Sequence, residues 1–314
     1  MVRRLNTNVS PSTYIELETI LSIRNISKHY GKIQAVDDLS LDVCKGQVFG
    51  VLGPNGSGKT TTLSIILELL KQDKGIFQWF GESPDKETRK RIGSVIESPN
   101  FYPYLSAVAN LQIIADIKDL DYNDIDRVLQ LTGLYERRNS RFKTFSFGMK
   151  QRLAIASALV GNPEVMILDE PTNGLDPQGI ADIRNLILLI ASEGTTIILA
   201  SHLLDEVQKI CSHVAVLNKG KKLYDGKVSE VLAISDSFEL AANEPDKLQS
   251  VICLHPSYLS STRIGDKIQI YFKDAVKPGD LNTFCFNQGI TLTHLAERKR
   301  SLEQHFLELL EEIQ

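Results

Sequence analysis

The most constraining feature of the sequence is residues 53–60, GPNGSGKT, which fit the phosphate-loop pattern G-x-x-x-x-G-K-[ST]. Glycines let the backbone fold around phosphate oxygens because no Cβ atom stands in the way. The apolar stretch 47–52 predicts a strand before the loop, and apolar residues at 63, 66, 67 and 70 predict an amphipathic helix after it. A glycine-rich turn with a chance lysine would not explain this strand–loop–helix context.

The residue types of the loop indicate how it would hold a nucleotide. The N–H groups of the loop and of the following helix start would bind phosphate oxygens. Lys59 would reach the β- and γ-phosphates, and the Thr60 hydroxyl would be a ligand of Mg²⁺. The sequence therefore predicts a nucleotide site that uses Mg²⁺.

Composition limits the class of protein. The chain has 314 residues, 42% of them hydrophobic, which suits one large globular domain or two smaller ones. The net charge of −4 argues against a nucleic-acid partner, because such proteins usually carry a basic domain. The four cysteines form no C-x-x-C pair, so we expect free thiols in a reducing cytosol rather than a metal site. No apolar run approaches the roughly 18 residues of a membrane-spanning helix, and residues 1–20 lack the apolar stretch of a secretory signal, so we expect none.

Alternating strand and helix patterns predict a mostly parallel α/β sheet. Strands are predicted at 21–26, 39–43, 75–81, 92–96, 165–168, 195–200 and 213–217, with helical segments at 105–141, after Ser146 and at 180–190. After about residue 226 the pattern changes, with strands predicted at 238–240, 267–272 and 290–295 and a terminal amphipathic helix at 302–313. We therefore expect a second, smaller α/β unit at the C-terminus.

Several chemically distinctive residues follow predicted parallel strands. Asp169 and Glu170 end the strand at 165–168, and His202 follows the strand at 195–200. Buried carboxylates are costly unless they meet a cation, which a Mg²⁺–nucleotide supplies. Ligands of open α/β sheets bind beyond the carboxyl ends of the strands, so these residues are expected to converge on the phosphate loop. Ser146 is a candidate N-cap, and its helix start would offer a second anion site.

Taken in this order, the motifs resemble those of the ATP-binding subunits of ABC transporters, over roughly residues 21–227. Residues 53–60 match the Walker A loop and 165–170 the Walker B strand, Asp176 lies in the D-loop turn, and His202 stands at the switch histidine. Residues 145–149, FSFGM, stand where the family has its L-S-G-G-Q signature. The resemblance implies a P-loop NTPase core with an antiparallel β subdomain and a helical subdomain at about 100–160. A flexible tail at 1–20 and an accessory α/β domain at 228–314 would flank residues 21–227.

The resemblance also implies roles for individual residues. Glu170 would be the general base, His202 would orient the attacking water or bond the γ-phosphate, and Lys59 would neutralise the phosphates. Ser146 and Gly148 would complete the site of a second ATP-binding subunit, so that a homodimer encloses two ATP molecules. The expected nucleotide contacts are Tyr30, Val36, Asn55, Gly56, Ser57, Gly58, Lys59, Thr60, Thr61, Glu97, Ser146 and Gly148, and the expected Mg²⁺ ligands are Thr60, Asp169 and Glu97.

Two departures from the family pattern carry information. Phe147 and Met149 replace the first Gly and the Gln of the signature, a variant that looks like subunits of the drug- and antibiotic-export branch. Glu97 replaces the glutamine of the Q-loop and precedes Pro99 and several aromatic residues, which resembles subunits for lantibiotic or bacitracin self-resistance. A carboxylate there could touch Mg²⁺ or the attacking water, or the change could be neutral in a tolerant loop.

The resemblance implies an ATP-hydrolysing motor subunit of an exporter, bound to a separate membrane permease at the inner face of the cell membrane. An antimicrobial peptide or antibiotic is the cargo class that the branch suggests. A soluble ABC ATPase acting on nucleic acid or the ribosome is the alternative, but the chain lacks sustained heptads and a second ATP core. A P-loop kinase or GTPase would not explain the signature or His202.

Two groups of aromatic residues have two interpretations each. Tyr30 lies beside Gly31 and is either an ordinary core or surface aromatic or the residue that stacks on adenine. Phe101, Tyr102 and Tyr104 either form a groove for a permease helix or pack the helical subdomain. The sequence does not decide between the two interpretations of Phe101, Tyr102 and Tyr104.

Overall fold

A computed structural model describes residues 18–97, 100–233, 237–274 and 276–298. Its strands are β1 Thr19–Tyr30, β2 Ile33–Cys44, β3 Val48–Leu52, β4 Lys74–Trp79, β5 Ile92–Val95, β6 Val165–Asp169, β7 Thr196–Ser201, β8 His213–Asn218, β9 Lys221–Lys227, β10 Ser237–Ala242, β11 Tyr258–Ile264, β12 Lys267–Phe272 and β13 Leu292–Arg298. Its helices are α1 Lys59–Ile66, α2 Lys86–Lys90, α3 Ala107–Lys118, α4 Ile125–Leu131, α5 Phe147–Leu159, α6 Pro177–Ser192, α7 Leu204–Ile210, α8 Val228–Ala233, α9 Pro245–Ile252 and α10 Pro278–Asn287.

The largest sheet has the strand order β5-β6-β7-β3-β8-β9, and all its neighbouring pairs are parallel except β8 with β9. Every residue of β3, β6 and β7 is buried, which explains their nearly continuous apolar sequences. The predicted mostly parallel α/β core is confirmed. Because β6, β7 and β3 are adjacent, the segments after Asp169, Ser201 and Leu52 leave the same edge of the sheet.

A second sheet, in the order β2-β1-β4, is antiparallel and stands beside α1. Trp79 fixes this contact, because its buried indole Nε1 donates a hydrogen bond of 2.8 Å to the carbonyl of Ile66. The strand predicted at 75–81 is present as β4, but it pairs with β1 and not with a neighbour in a local hairpin. β1 begins at Thr19 and buries Ile20, so residues 19 and 20 belong to the folded sheet and not to the flexible tail expected at 1–20.

The helical region contains α3, α4 and α5, packed in one apolar cluster with strands of the large sheet. Ser106 caps α3 by accepting a hydrogen bond of 3.1 Å from the Ala109 N–H. The helical character predicted for 105–141 is present, and the first helix ends at Asp119, which adopts a left-handed conformation (φ 59°). Ser146 is the N-cap of α5, as predicted, with Oγ 3.3 Å from the Met149 N–H.

Residues 237–298 form a separate βαββαβ unit with the antiparallel order β11-β12-β10-β13. This is the ferredoxin-like arrangement, with α9 and α10 packed on one face around Phe238, Ile268 and Ile270. The predicted strands 238–240 and 267–272 are confirmed, and the third begins at Leu292, two residues later than expected. The terminal helix predicted at 302–313 lies outside the described residues. Across the described ranges, no helix has the length and apolar content needed to cross a membrane.

Candidate nucleotide site

The loop 53–60 is packed so closely that two of its glycines have no room for a side chain. A Cβ atom on Gly53 would lie 2.3 Å from the Leu217 carbonyl oxygen. A Cβ atom on Gly58 would lie 2.4 Å from the Ala35 carbonyl oxygen, and Gly58 also has a φ of +106°. Leu217 and Ala35 belong to β8 and β2, so backbone from both sheets walls the loop. This explains physically why glycine is needed at both positions.

Lys59 begins α1 and is only 6% exposed. Its Nζ donates a hydrogen bond of 2.8 Å to the Gly53 carbonyl and lies 3.5 Å from Glu170 Oε1. The ammonium group is therefore held over the loop, facing a carboxylate. Asn55 and Gly56 are exposed at the tip, Thr61 is half-buried, and Ser57 is buried. The exposed residues Asn55 and Gly56 at the tip of the loop are therefore accessible to a ligand, whereas the buried Ser57 is not.

Asp169 lies at the end of β6 and contacts the loop through Thr60, whose Oγ1 donates a hydrogen bond of 2.8 Å to Asp169 Oδ2. Burial raises the pKa of Asp169, and the charges of Glu170 and Glu97 raise it further, against the lowering effects of the Thr60 hydrogen bond and Lys59. Asp169 Oδ1 is buried and, within the described residues, has no hydrogen-bond partner. A buried carboxylate with one unpaired oxygen beside a hydroxyl suits a divalent cation.

The described residues hold no group of three His, Cys, Asp or Glu side chains that could bind a metal by themselves. Mg²⁺ commonly keeps waters and takes one or two protein oxygens plus phosphate oxygens. Thr60 and Asp169 therefore fit a Mg²⁺ that arrives with a nucleotide, and the chemistry of this donor set matches that ion.

Glu170 follows Asp169 and adopts a left-handed backbone with φ 49°. Its N–H donates a hydrogen bond of 3.0 Å to the Ala200 carbonyl in β7, which holds this unusual conformation in place. Its Oε2 lies 2.8 Å from His202 Nδ1. The neighbouring strands β6 and β7 thus bring a carboxylate, an imidazole and the Lys59 ammonium together beside the phosphate loop.

Ser146 and Gly148 do not lie beside the phosphate loop 53–60. They line a cavity of about 360 Å³ together with Met149, Arg152 and Asp176. Among the described residues, none from the loop 53–60 lines this cavity. Ser146 caps α5, and Asp176 caps α6 by accepting a hydrogen bond of 2.9 Å from the Gly179 N–H, so two helix starts face the same cavity. This chain therefore does not assemble the signature residues and the phosphate loop into one site by itself.

Three further candidates occupy different environments. Tyr30 is 50% exposed at the end of β1, which leaves its ring open to a ligand. Val36 is 1% exposed and packs in the core, so its side chain is not available to a ligand. Glu97 is exposed, has a φ of 62°, and lies close enough to raise the pKa of Asp169.

The aromatic residues after Glu97 divide into two groups. Phe101 packs edge-on against Phe142, with ring centroids 5.2 Å apart. Tyr102 and Tyr104 are exposed, Tyr104 by 74%, and Tyr104 lies 5.6 Å from the Lys143 ammonium. Phe101 therefore packs the helical region, whereas the two tyrosines offer an apolar surface.

Sequence reasoning missed the part of the site made of backbone. The Gly220 N–H donates a hydrogen bond of 3.0 Å to the Ser57 carbonyl, and the Asp37 N–H donates one of 2.8 Å to the Gly220 carbonyl. These bonds tie the loop to β2 and to the β8–β9 turn. Main-chain contacts depend weakly on side-chain type, so no residue pattern would have indicated them apart from the glycine at 220.

A phosphate loop between a buried strand and a helix, with acidic residues and a histidine from adjacent parallel strands, defines a P-loop nucleotide hydrolase. A family model described as "ABC transporter" matches residues 36–173. The chain belongs to the ATP-binding subunits of ABC transporters, which are ATPases.

Similar proteins support this membership along the chain. The bacitracin transport ATP-binding protein BcrA of Bacillus licheniformis is 36% identical over 300 residues, covering 94% of this chain and 98% of that protein. The lantibiotic transport ATP-binding protein SrtF of Streptococcus pyogenes is 38% identical over 211 residues, covering 66% and 92%. The solved structure of cbiO1 from Clostridium perfringens, part of the ABC transporter complex cbiONQ, matches with a TM-score of 0.63 and 29% identity, covering 76% and 96%.

Proposed function

We propose that this chain is the ATP-hydrolysing motor subunit of an ABC exporter. The observation that carries the proposal is the arrangement of Lys59, Glu170 and His202 beside the phosphate loop, with Glu170 Oε2 2.8 Å from His202 Nδ1 and Oε1 3.5 Å from Lys59 Nζ. In-line attack of water on a γ-phosphate needs positioning and charge stabilisation, and these three side chains supply both.

Each residue has a distinct task in this mechanism. Glu170 accepts a proton from the attacking water, and His202 fixes the Glu170 carboxylate and faces the γ-phosphate. Lys59 and the loop N–H groups stabilise the phosphates, with Asn55, Gly56, Ser57, Gly58 and Thr61 forming the loop and helix start. Tyr30 stacks on the base. Thr60 and Asp169 would hold Mg²⁺, which when bound would neutralise charge on the phosphate oxygens, and Glu97 would contribute a further oxygen donor.

A second copy of this chain completes the site. Ser146 caps α5 and Gly148 lies in its first turn, and both line a cavity separate from the loop 53–60. The first N–H groups of a helix have no intrahelical partner, so those at the start of α5 can bind a partner's phosphates. Two copies related by a twofold axis would exchange these residues reciprocally. The functional form we propose is therefore a homodimer with two composite ATP sites.

The names of the relatives suggest where the motor works. BcrA is named for bacitracin transport and SrtF for lantibiotic transport. We infer that this chain acts at the cytoplasmic face of the cell membrane with a separate permease, and that the cargo is an antimicrobial peptide or antibiotic. The soluble alternative that acts on nucleic acid gains no support, since these relatives are named as transport proteins.

Isolation of the chain with its permease tests this function. We expect the tagged chain, purified from membranes of its own cells, to bring with it a membrane protein of about six spans and to hydrolyse ATP.

The Tyr102→Ala, Tyr104→Ala double variant should recover at least about tenfold less permease than wild type, because two exposed rings each bury an area typical of interface anchors. Its ATP affinity should stay unchanged.

The matched control for the tyrosine variant is Tyr122→Ala, which removes another exposed ring of the helical region. Recovery of the permease at the wild-type level with the double variant would assign Tyr102 and Tyr104 to another role. Recovery of no membrane protein by the wild-type chain would contradict the motor function itself.

Glu97 is proposed to be an oxygen donor for Mg²⁺ at the nucleotide site. We expect Glu97→Gln to bind ATP normally and to require about tenfold more Mg²⁺ for half-maximal hydrolysis, a loss typical of outer ligands of a metal. A titration of ATPase rate against Mg²⁺ concentration measures this. Glu136→Gln, an exposed carboxylate of the helical region, is the control. Overlapping Mg²⁺ curves for wild type and Glu97→Gln would show that the negative charge of Glu97 contributes nothing to metal binding.

A further inference from the structure

Phe147 is the first residue of α5, and it lies against the D-loop, defined here as residues 173–176. A Cβ atom built on Gly174 would lie 3.3 Å from Cε1 and 3.5 Å from Cζ of Phe147. The ring therefore covers Gly174, which has a φ of +77° and no side chain of its own. Phe147 is 47% exposed, so the other side of the ring is free.

The D-loop is continuous with the proposed general base. The Asn173 N–H donates a hydrogen bond of 3.1 Å to the Glu170 carbonyl, and the Leu175 N–H donates one of 3.3 Å to the Thr172 carbonyl. The loop ends at Asp176, the N-cap of α6. A contact that fixes Gly174 therefore restrains the chain between Glu170 and α6.

Two further contacts join the same helix starts. Leu175 Cδ2 would lie 3.8 Å from a Cβ atom on Gly148, so the leucine faces the first turn of α5. Farther along, Arg152 Nη2 of α5 donates a hydrogen bond of 2.6 Å to Asp182 Oδ2 of α6. The salt bridge is partly exposed and adds little stability by itself, but it fixes which faces of the two helices meet.

We propose that Phe147 is a positioning residue that locks the D-loop to the signature helix and so sets the geometry of Glu170 during hydrolysis. The inference rests on the proposed ATPase function. It assigns a task to one of the side chains at which this sequence departs from the family signature, because a glycine at position 147 would leave Gly174 uncovered. ATP binding uses the loop 53–60, Tyr30 and, from the partner copy, main-chain N–H groups at the start of α5. A change of the Phe147 side chain removes none of these groups, so Phe147 should affect turnover and not affinity.

The test compares Phe147→Ala, Phe147→Tyr and wild type in the same purified complex. We expect Phe147→Ala to lower kcat by about fivefold, or about 1 kcal/mol at 1.36 kcal/mol per tenfold, with KM for ATP unchanged. Hydrogen exchange of the peptide 170–179 should become faster in this variant. Phe147→Tyr keeps the ring and should restore both values to within twofold of wild type.

Phe286→Ala is the matched control, because it removes an exposed phenylalanine from α10 in the C-terminal unit. It should leave kcat and the exchange of 170–179 unchanged. A Phe147→Ala kcat within twofold of wild type, or a KM that rises in parallel with the loss of kcat, would overturn the proposal. Absence of ATP hydrolysis in the wild-type protein would instead contradict the proposed function, so the two failures are distinguishable.

Discussion

The Glu170→Gln variant is expected to bind ATP as wild type does and to lose hydrolysis by at least about 100-fold, the usual contribution of a general base. Glutamine has nearly the same shape as glutamate, so its oxygen can still accept a hydrogen bond from His202 Nδ1, which lies 2.8 Å from Glu170 Oε2. It cannot accept a proton from water. Because ATP then persists in the site, the variant should accumulate as an ATP-bound dimer.

Three measurements check this expectation. Phosphate release gives the rate, a fluorescent ATP analogue gives the affinity, and size-exclusion chromatography with ATP gives the oligomeric state. Glu164→Gln is the control, since Glu164 precedes the opposite end of β6 and pairs with Arg91 on the surface. Turnover of Glu170→Gln within about tenfold of wild type would remove Glu170 from the role of general base.

The large sheet and the edge at which its loops meet could be predicted from the sequence because burial leaves a strong signal. β3, β6 and β7 are buried along their whole length, so only apolar residues are tolerated there and the runs are plain. β11 was missed for the opposite reason. It is an edge strand with mostly exposed residues, and its sequence YLSSTRI has no clear alternation.

The sequence predicted which side chains lie in the candidate site, but it did not predict the backbone conformations and long-range contacts that hold them there. The positions of Asp169 and His202 beside the phosphate loop could be predicted because Asp169 ends a buried parallel strand and His202 follows another, at the edge where ligands of such sheets bind. The left-handed conformation of Glu170 could not be predicted, because glutamate has no preference for it and the Ala200 carbonyl of another strand holds it. The contact of Phe147 with Gly174 joins residues far apart in sequence, and it depends on how two helices approach each other.

The Lys59→Ala and Ser146→Arg variants, each inactive alone, should form an active mixed dimer if each ATP site is made of residues from both copies. Lys59→Ala removes the buried ammonium that faces Glu170. Ser146→Arg removes the cap of α5 and fills the helix start with a bulky side chain. Each homodimer contains two defective sites, so we expect each to lose at least about 100-fold in turnover, the scale of losing a phosphate-stabilising group.

In a mixed dimer, the Lys59 of one copy meets the Ser146 of the other in one complete site, while the second site carries both defects. Co-expression with two affinity tags and sequential purification isolates this dimer, and its ATPase rate should be about half that of wild type, since one of two symmetric sites is intact. The control pairs Lys59→Ala with a chain that carries both substitutions, which leaves no complete site and should remain inactive. A mixed dimer as inactive as its parents would mean that Ser146 does not serve a partner's ATP, and the separation of its cavity from residues 53–60 would need another explanation.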